Sequence, residues 1–586
     1  MWQRPKAVKC RDILLFYDTM KLWPSAPASV ILASTINKTG DGMADQDVAG
    51  GHGMEISRRP FIGWGMAMLS GVLASARPAD AQTAARKGTL VIGLDISDAI
   101  SLDPARIAQY TNPLIGHAAY ESLVTMAPGD YITIRPGLAT SWAYTPDGKS
   151  LRFKLRQGVK FSSGKTVTAE DVRFSFMRML NVADQPAQYI AHVDKVVVVD
   201  DSTVEMVLKD PTQPILTIIT APEFIVMEKA VAVANGATDA PDAKAKDTAV
   251  NWLNENSCGS GPYRLTGWQR NQQVQMVRNS NYWGGVPGYE RVLIRHMSES
   301  AAQLLALKRG DIDVAFNLIP EQVATLKDDP NVSVMGATSL DFIYIAVAES
   351  PDNPALQKKK ARQAIGYAID YDGIIASLIG GYAVRPVSFL PIGMNGSTEE
   401  LTKEIGFRQD LERSKKLLAE AGLPDGFSFQ LAYGNAAIAG VSYQNLAQKV
   451  QSDLARVGIK VELVPMDQLN MRTMYVGGKA QAVLTFWNPP GPENLLWAGA
   501  TINRVAKRVH WDVPADVRRL VDDASAERDS VKAAALWRKY QEVMIDVAHH
   551  FVMIQPKYQV AVRKSVTGLK LTAAGWMVEL PDAKPA

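Results

Sequence analysis

An α/β architecture divided into more than one domain is what this sequence predicts, and three observations carry it. TLVIGL at 89–94 is a continuous apolar run and reads as a buried strand. SYQNLAQKVQSDLARVGIKVELV, from Ser442, reads as a helix, a C-terminal glycine at Gly458 and a strand, which is one α/β unit. The chain of 586 residues also exceeds what one core usually supports, so two or three domains are expected.

The first feature along the chain is an export signal. MEISRRPFIGWGMAMLSG begins at Met54 with adjacent Arg58 and Arg59, followed by fourteen uncharged, mostly apolar residues from Phe61 to Ala74. Such a run is too short to cross a bilayer, which takes about 20 residues. Ala79-Asp80-Ala81 then fits a small-residue cleavage site, with cleavage before Gln82. Ser57-Arg58-Arg59-Pro60-Phe61-Ile62 is similar to the twin-arginine export motif. Met54 is then expected to be the initiator, and residues 1–53, without periodicity and ending in TGDGMADQDVAGGHG, a non-native or unstructured leader. A mature chain from Gln82 has 505 residues.

The later elements follow from local pattern. LRFKLR alternates Leu151, Phe153 and Leu155 with Arg152, Lys154 and Arg156, a strand with one wet face. TAEDVRFSFMRML opens with Thr168 and Asp171 at capping-box spacing, and Val172, Phe176 and Met179 share one helix face. KVVVV and TVEMVL joined by DDST read as a hairpin. VANGATDAPDAKAKDTA, 233–249, is the most linker-like stretch. FIYIAVA at 342–348 and AVLTF at 482–486 read as buried strands, and ERSKKLLAEAGLP as a helix stopped by Gly422 and Pro424.

Charge and motif content exclude several functions. From Gln82 onward there are 54 basic and 53 acidic residues, so no nucleic acid or anionic membrane is expected as partner. Of Cys10 and Cys258 only Cys258 lies past the cleavage site, so no intramolecular disulfide and no lipid anchor is expected. GVKFSSGKT imitates a phosphate loop, but five residues separate Gly158 from Gly164 where four are needed, and the helix starts later. No metal, cofactor or catalytic set is expected. His549-His550 point to opposite faces of a strand and make a poor chelate.

Several segments together resemble one family, the peptide-binding (family 5) extracellular solute receptors of ABC importers. SLDPARIAQYTN with YESL, the long LATSWAYTPDGKSLRFKLRQGVKFSSGKTVTAEDVRFSF, GSGPYRLTGW with RNSNYWGG, KARQAIGYAIDYDGII, AEAGLPDGF and QSDLARVGIKVEL all match its segments. The resemblance implies a two-lobed, hinged periplasmic-binding-protein fold of type II-like form, with an extra α/β domain inserted in lobe one. Lobe one is expected over 82–120, 251–338 and 552–586, the inserted domain over 121–250 and lobe two over 339–551. It further implies a monomeric, non-enzymatic receptor in the periplasm, which closes on a solute and is recognised by the permease of an ABC importer.

The resemblance also places the ligand. Tyr110, Thr111 and Asn112 follow the Leu-Asp-Pro segment and are expected to face the cleft. Asp341 and Phe342 stand at the first crossing between lobes. Trp487 and Asn488 end the strand of AVLTFWNPPGPENLLW. Dipeptide receptors of the family hold the ligand's amino group with an aspartate after the Trp-like position, where this chain has Asn488. They hold the carboxylate with an arginine in a loop matching YGNAAIAGVSY, 433–443, which has no basic residue. An unpaired charge closed into a dry cleft costs several kcal/mol, against about 8 kcal/mol for a micromolar receptor. A peptide or peptide-like solute is therefore expected, but not a free dipeptide held in the usual way. An opine-like conjugate, a sugar or a metal chelate, and a periplasmic enzyme on this scaffold, are the alternatives.

Overall fold

The computed structural model describes residues 88–586 apart from 98, 107–111, 212, 436, 439–440, 488–490 and 572–577, and apart from the side chains of 112, 437–438, 441 and 469. The expected leader 1–53, the expected signal 54–81 with Arg58 and Arg59, and the expected site residues Tyr110, Thr111 and Asn488 lie outside the described residues, as does the side chain of Asn112.

Strand β1 is Thr89–Leu94, and helix α1 is Asn112–Ala119. Then follow β2 (Ala139–Tyr144), β3 (Ser150–Leu155), helix α2 (Ala169–Val182), β4 (Val193–Asp200) and β5 (Thr203–Leu208). β6 (Tyr263–Gln269), β7 (Gln273–Arg278), β8 (Arg291–His296) and β9 (Val314–Ala315) come next. The last group is β10 (Phe342–Val347), α3 (Leu411–Glu420), β11 (Ser428–Gly434), α4 (Tyr443–Ala455), β12 (Lys460–Met466), β13 (Ala482–Trp487), α5 (Asn494–Ala500) and β14 (His550–Arg563).

One large sheet runs in the order β6-β7-β8-β1-β9-β14-β10-β13-β11-β12, and Val332–Thr338 and Ala383–Val384 also pair with β14. Its two halves are stitched by β14. The start of β14 pairs with β10, and its end pairs with β9 and with Val332–Thr338. Fourteen residues extend about 46 Å, enough to belong to both halves. The other connection is the short passage Ser339–Asp341 between Val332–Thr338 and β10. A separate four-stranded sheet, β2-β3-β5-β4, carries α2.

Local chemistry explains the elements. In β3 the burial alternates as its sequence does, with Leu151, Phe153 and Leu155 inside and Arg152 and Lys154 outside. Thr168 caps α2, Asp171 Oδ2 accepts from the Thr168 amide at 2.9 Å, and Val172, Phe176 and Met179 enter the core with Val204 and Met206. FIYIAV in β10 is buried on both faces. Ile343, Ile345 and Val347 pack with Leu431 and Leu484, whereas Phe342, Tyr344 and Ala346 pack with Val483 and Trp497. Gly458, φ +84°, turns the chain from α4 into β12 in the left-handed region, with the Asp425 carbonyl close by. GVKFSSGKT forms a turn closed by the Lys160–Thr166 bridge, and α2 starts only after Thr168.

One expectation is corrected. The stretch 233–249 is no linker: Lys229–Ala234 and Ala243–Lys246 are helical, and Ala237, Ala243, Asp247 and Ala249 are buried. Its polar composition conceals a tertiary partner. Arg178 of α2, wholly buried, forks onto Asp247 at 2.7 and 2.8 Å and onto Asp103 at 2.8 and 2.7 Å. Burial alone would lower the guanidinium's affinity for its proton; the bonds to the two aspartates overcome it and hold the proton more firmly than usual. His549 and His550 are both buried. The first has Nδ1 3.0 Å from the Val347 carbonyl, and the second lies against Phe389.

Candidate functional site

The antiparallel pairing of β10 with β13 sets Phe342 opposite Trp487. Two sequence segments 145 residues apart thereby meet where the two halves of the sheet join. Asp341 precedes this pair and is itself buried. Its Oδ2 accepts from the Tyr558 hydroxyl at 2.7 Å, so it ties the passage into β10 to strand β14. Gln555 of β14 reinforces the tie by donating to the Ser339 carbonyl at 2.7 Å. Burial pushes the Asp341 carboxyl up to about 7, and the Tyr558 bond offsets only part of that. Tyr131 and Tyr443 also stand close enough to sense Asp341: burial first, then its charge, raises both phenols well above their ordinary value. The Tyr443 hydroxyl is buried with no hydrogen-bond partner among the described residues.

Phe342 has no exposed surface and packs on Phe389 at 4.8 Å and Trp497 at 5.3 Å between ring centroids. It backs the site rather than fronting it. Trp487 is half-buried and lies 5.8 Å from Phe389, with its Nε1 closed off from solvent and without a hydrogen-bond partner among the described residues.

Two arginines stand over Trp487 that sequence reasoning passed by. The Arg504 guanidinium is 5.0 Å, and that of Arg508 6.0 Å, from the indole centroid. Arg508 also lies 5.0 Å from the Tyr475 ring, and the Tyr475 hydroxyl is 3.0 Å from that of Tyr344. Both arginines sit on the continuation of α5, where the helix widens into a π-helical turn, Thr501–Val505, before Ala506–Arg508. Such turns occur often at functional sites. The four-residue spacing in TINRVAKRVH was the available signal.

The opposite wall comes from residues around 217–223. The Thr217 hydroxyl donates to Glu493 Oε2, and Glu493 also caps α5 by accepting from the Leu495 amide. Burial raises the Glu493 carboxyl. A Cβ on Gly491 would lie 4.0 Å from the Ala221 methyl. Glu223, next along, has a buried Oε2 with no partner among the described residues, and burial pushes its carboxyl up to about 7. Arg528 lies 4.0 Å over the Tyr144 ring, and the Tyr131 ring packs on Gly393. The walls thus touch at several points.

Of the expected site residues, the structure brings Asp341, Phe342 and Trp487 together. Asn112 stands at the start of α1, whose Gly116 lies against Pro222. Among the described residues no cluster of three or more His, Cys, Asp or Glu is placed to hold a metal, and no helix is long and apolar enough to cross a membrane.

Comparison with known proteins fits this geometry. The chain is 28% identical over 523 residues to "Probable D,D-dipeptide-binding periplasmic protein DdpA" of Escherichia coli (strain K12), covering 88% of this chain and 96% of that one. It is 26% identical over 503 residues to Di/tripeptide-binding protein 2 of Pseudomonas aeruginosa, covering 80% and 90%. The solved structure of HbpA2 from Haemophilus parasuis superposes with a TM-score of 0.73 at 24% identity, covering 85% of this chain and 100% of that one. The dipeptide-binding protein from Pseudoalteromonas in complex with Met-Leu superposes at 0.67 and 22%, again covering 85% and 100%. These structures show that the fold is the two-lobed periplasmic-binding-protein fold. Residues 133–501 match the family model described as bacterial extracellular solute-binding proteins, family 5 Middle. The chain belongs to the family 5 bacterial extracellular solute-binding proteins.

Proposed function

We propose that this protein is a periplasmic receptor that closes its two lobes on a peptide or peptide-like solute and presents it to the permease of an ABC importer. The observation that carries this reading is the meeting of Trp487 with Asp341 and Phe342 where both connecting strands cross, with Gly491 and Glu493 of the segment after Trp487 reaching a second wall at 217–223. Relatives named for dipeptides, di- and tripeptides and glutathione support the solute class. A ligand that touches both walls stabilises only the closed arrangement, which makes closure the signal. No group in this reading does chemistry on the ligand.

The lobes are proposed as 82–120 with 251–338 and 552–586, and as 339–551, with 121–250 inserted in the first. Tyr110, Thr111, Asn112, Asp341, Phe342, Trp487 and Asn488 are proposed to form or support the pocket. Processing near Ala81 after twin-arginine export is proposed for the segment 54–81. Glu223 is a candidate partner for a ligand ammonium, since its buried oxygen has no partner among the described residues. A second reading, a compact non-peptide solute, draws on structural neighbours titled for Ni(L-His) and for agropinic acid.

The test is mass spectrometry of solutes released by denaturing the protein purified from the periplasm, with scattering before and after re-addition. A released peptide that shrinks the radius of gyration supports the reading. A released non-peptide solute selects the second reading. A solute chemically altered by incubation with the protein would point to an enzyme.

A further inference from the structure

We propose that Arg504 and Arg508, laid over the Trp487 indole, form an anion subsite that holds the solute's carboxylate; the proposal rests on the receptor reading above. The loop 433–443, YGNAAIAGVSY, contains no basic residue that could meet a carboxylate. The two guanidinium groups lie on a different element, the π-widened continuation of α5, at 5.0 and 6.0 Å from the Trp487 ring centroid.

Stacking on an aromatic face fixes the plane of a guanidinium and leaves its edge N–H groups directed away from the ring. Those edges match the two oxygens of a carboxylate. Arg508 is fixed from a second side, by the Tyr475 ring at 5.0 Å. No described carboxylate pairs with Arg508, although it is half-buried and one helical turn from a second positive charge. An anion that reaches the Arg508 guanidinium beside the closing cleft gains a charge-assisted bond. Trp487 adds a donor of its own, the buried Nε1, which has no partner among the described residues.

Arginines that only pack against Trp487 would confer no preference for a carboxylate, whereas a subsite would. The test separates the two. Calorimetric titration uses two panels, unmodified di- and tripeptides and opine-type N-carboxyalkyl amino acids, each with the matching neutral amides. Wild type, Arg504→Gln, Arg508→Gln and Arg508→Lys are compared, together with melting of each ligand-free variant. The expected result is that wild type prefers free acids over amides by at least about tenfold, that either glutamine variant cuts this preference to about threefold or less, and that Arg508→Lys restores part of it. Free acids and amides bound equally by wild type, or an acid preference kept by both glutamine variants, overturns the subsite and leaves the peptide reading standing. Acid-selective binding of the opine panel alone overturns the peptide reading and supports the subsite. Binding of neither panel overturns both. A glutamine variant that melts lower but keeps its acid preference assigns the arginines to packing alone.

Discussion

Replacing Arg178 by methionine keeps most of the side-chain volume and removes one charge from a wholly buried triad. Four bonds of 2.7–2.8 Å to Asp103 and Asp247 are lost, and two carboxylates stay behind in the core. Breaking a buried pair in this way costs about 3–5 kcal/mol, most of it the desolvation of the stranded partner. If the α2 region melts as its own unit of about 130 residues, an unfolding entropy near 0.27 kcal/mol/K turns 4 kcal/mol into a drop of roughly 15 °C. If the whole chain of about 500 residues melts together, the drop is nearer 4 °C. Differential scanning calorimetry distinguishes these outcomes by the width and number of transitions. The triple variant Asp103→Asn, Arg178→Met, Asp247→Asn removes all three charges and is expected to recover most of the loss. Function should respond as well, because Asp103 also accepts from the Ala105 amide at 3.0 Å in the turn that leads to residues 107–111. Arg178→Met should therefore weaken solute binding too. A single variant melting within about 1 °C of wild type, or a triple variant as unstable as the single one, would refute the assignment of the cost to stranded charge.

Three further outcomes are expected. Trp487→Ala should lose at least about tenfold in affinity, ~1.4 kcal/mol, in calorimetry with the co-purified solute, since it removes a flat anchor contacted by Phe389 and both arginines; unchanged affinity would remove Trp487 from the pocket. Asp341 has its carboxyl raised by burial to about 7, so its contribution is present below the unfolded value near 4 and is lost as pH rises through 7. The stability of wild type relative to Asp341→Asn should then fall between pH 4 and 7 by at most roughly 4 kcal/mol and level off above pH 8, and a pH-independent difference in melting would contradict this. Thr217→Val deletes the hydroxyl that meets Glu493 across the walls, worth about 1 kcal/mol to the closed arrangement, so affinity should drop roughly fivefold and ligand-free scattering should shift toward a larger radius; identical affinity and scattering would count against a closing contact there.

Local pattern was enough wherever the deciding interaction lies within a few residues. The Thr168–Asp171 cap, the alternation of Leu151, Phe153 and Leu155, the two-sided burial of FIYIAV and the Gly458 turn were all legible, because period, cap and backbone conformation are fixed by neighbours in the chain. The segments resembling family 5 carried the fold class in the same way. The stretch 233–249 misled because composition reports only average polarity, and Asp247 becomes a core residue only once Arg178, 69 positions away, supplies the opposite charge. The site shows the same division. The sequence singled out Trp487 and Asp341 separately, whereas the β10–β13 register and the Tyr558 bond put them at one junction. The four-residue spacing of Arg504 and Arg508 marks only a shared helix face, and Glu223 carried no local mark at all, because a charge acquires a binding role only from what it faces. The placing of two guanidinium groups over one indole, and the closing-off of a carboxylate oxygen at 223, arise when segments distant in the chain are packed together, and that packing was the contribution of the tertiary structure alone.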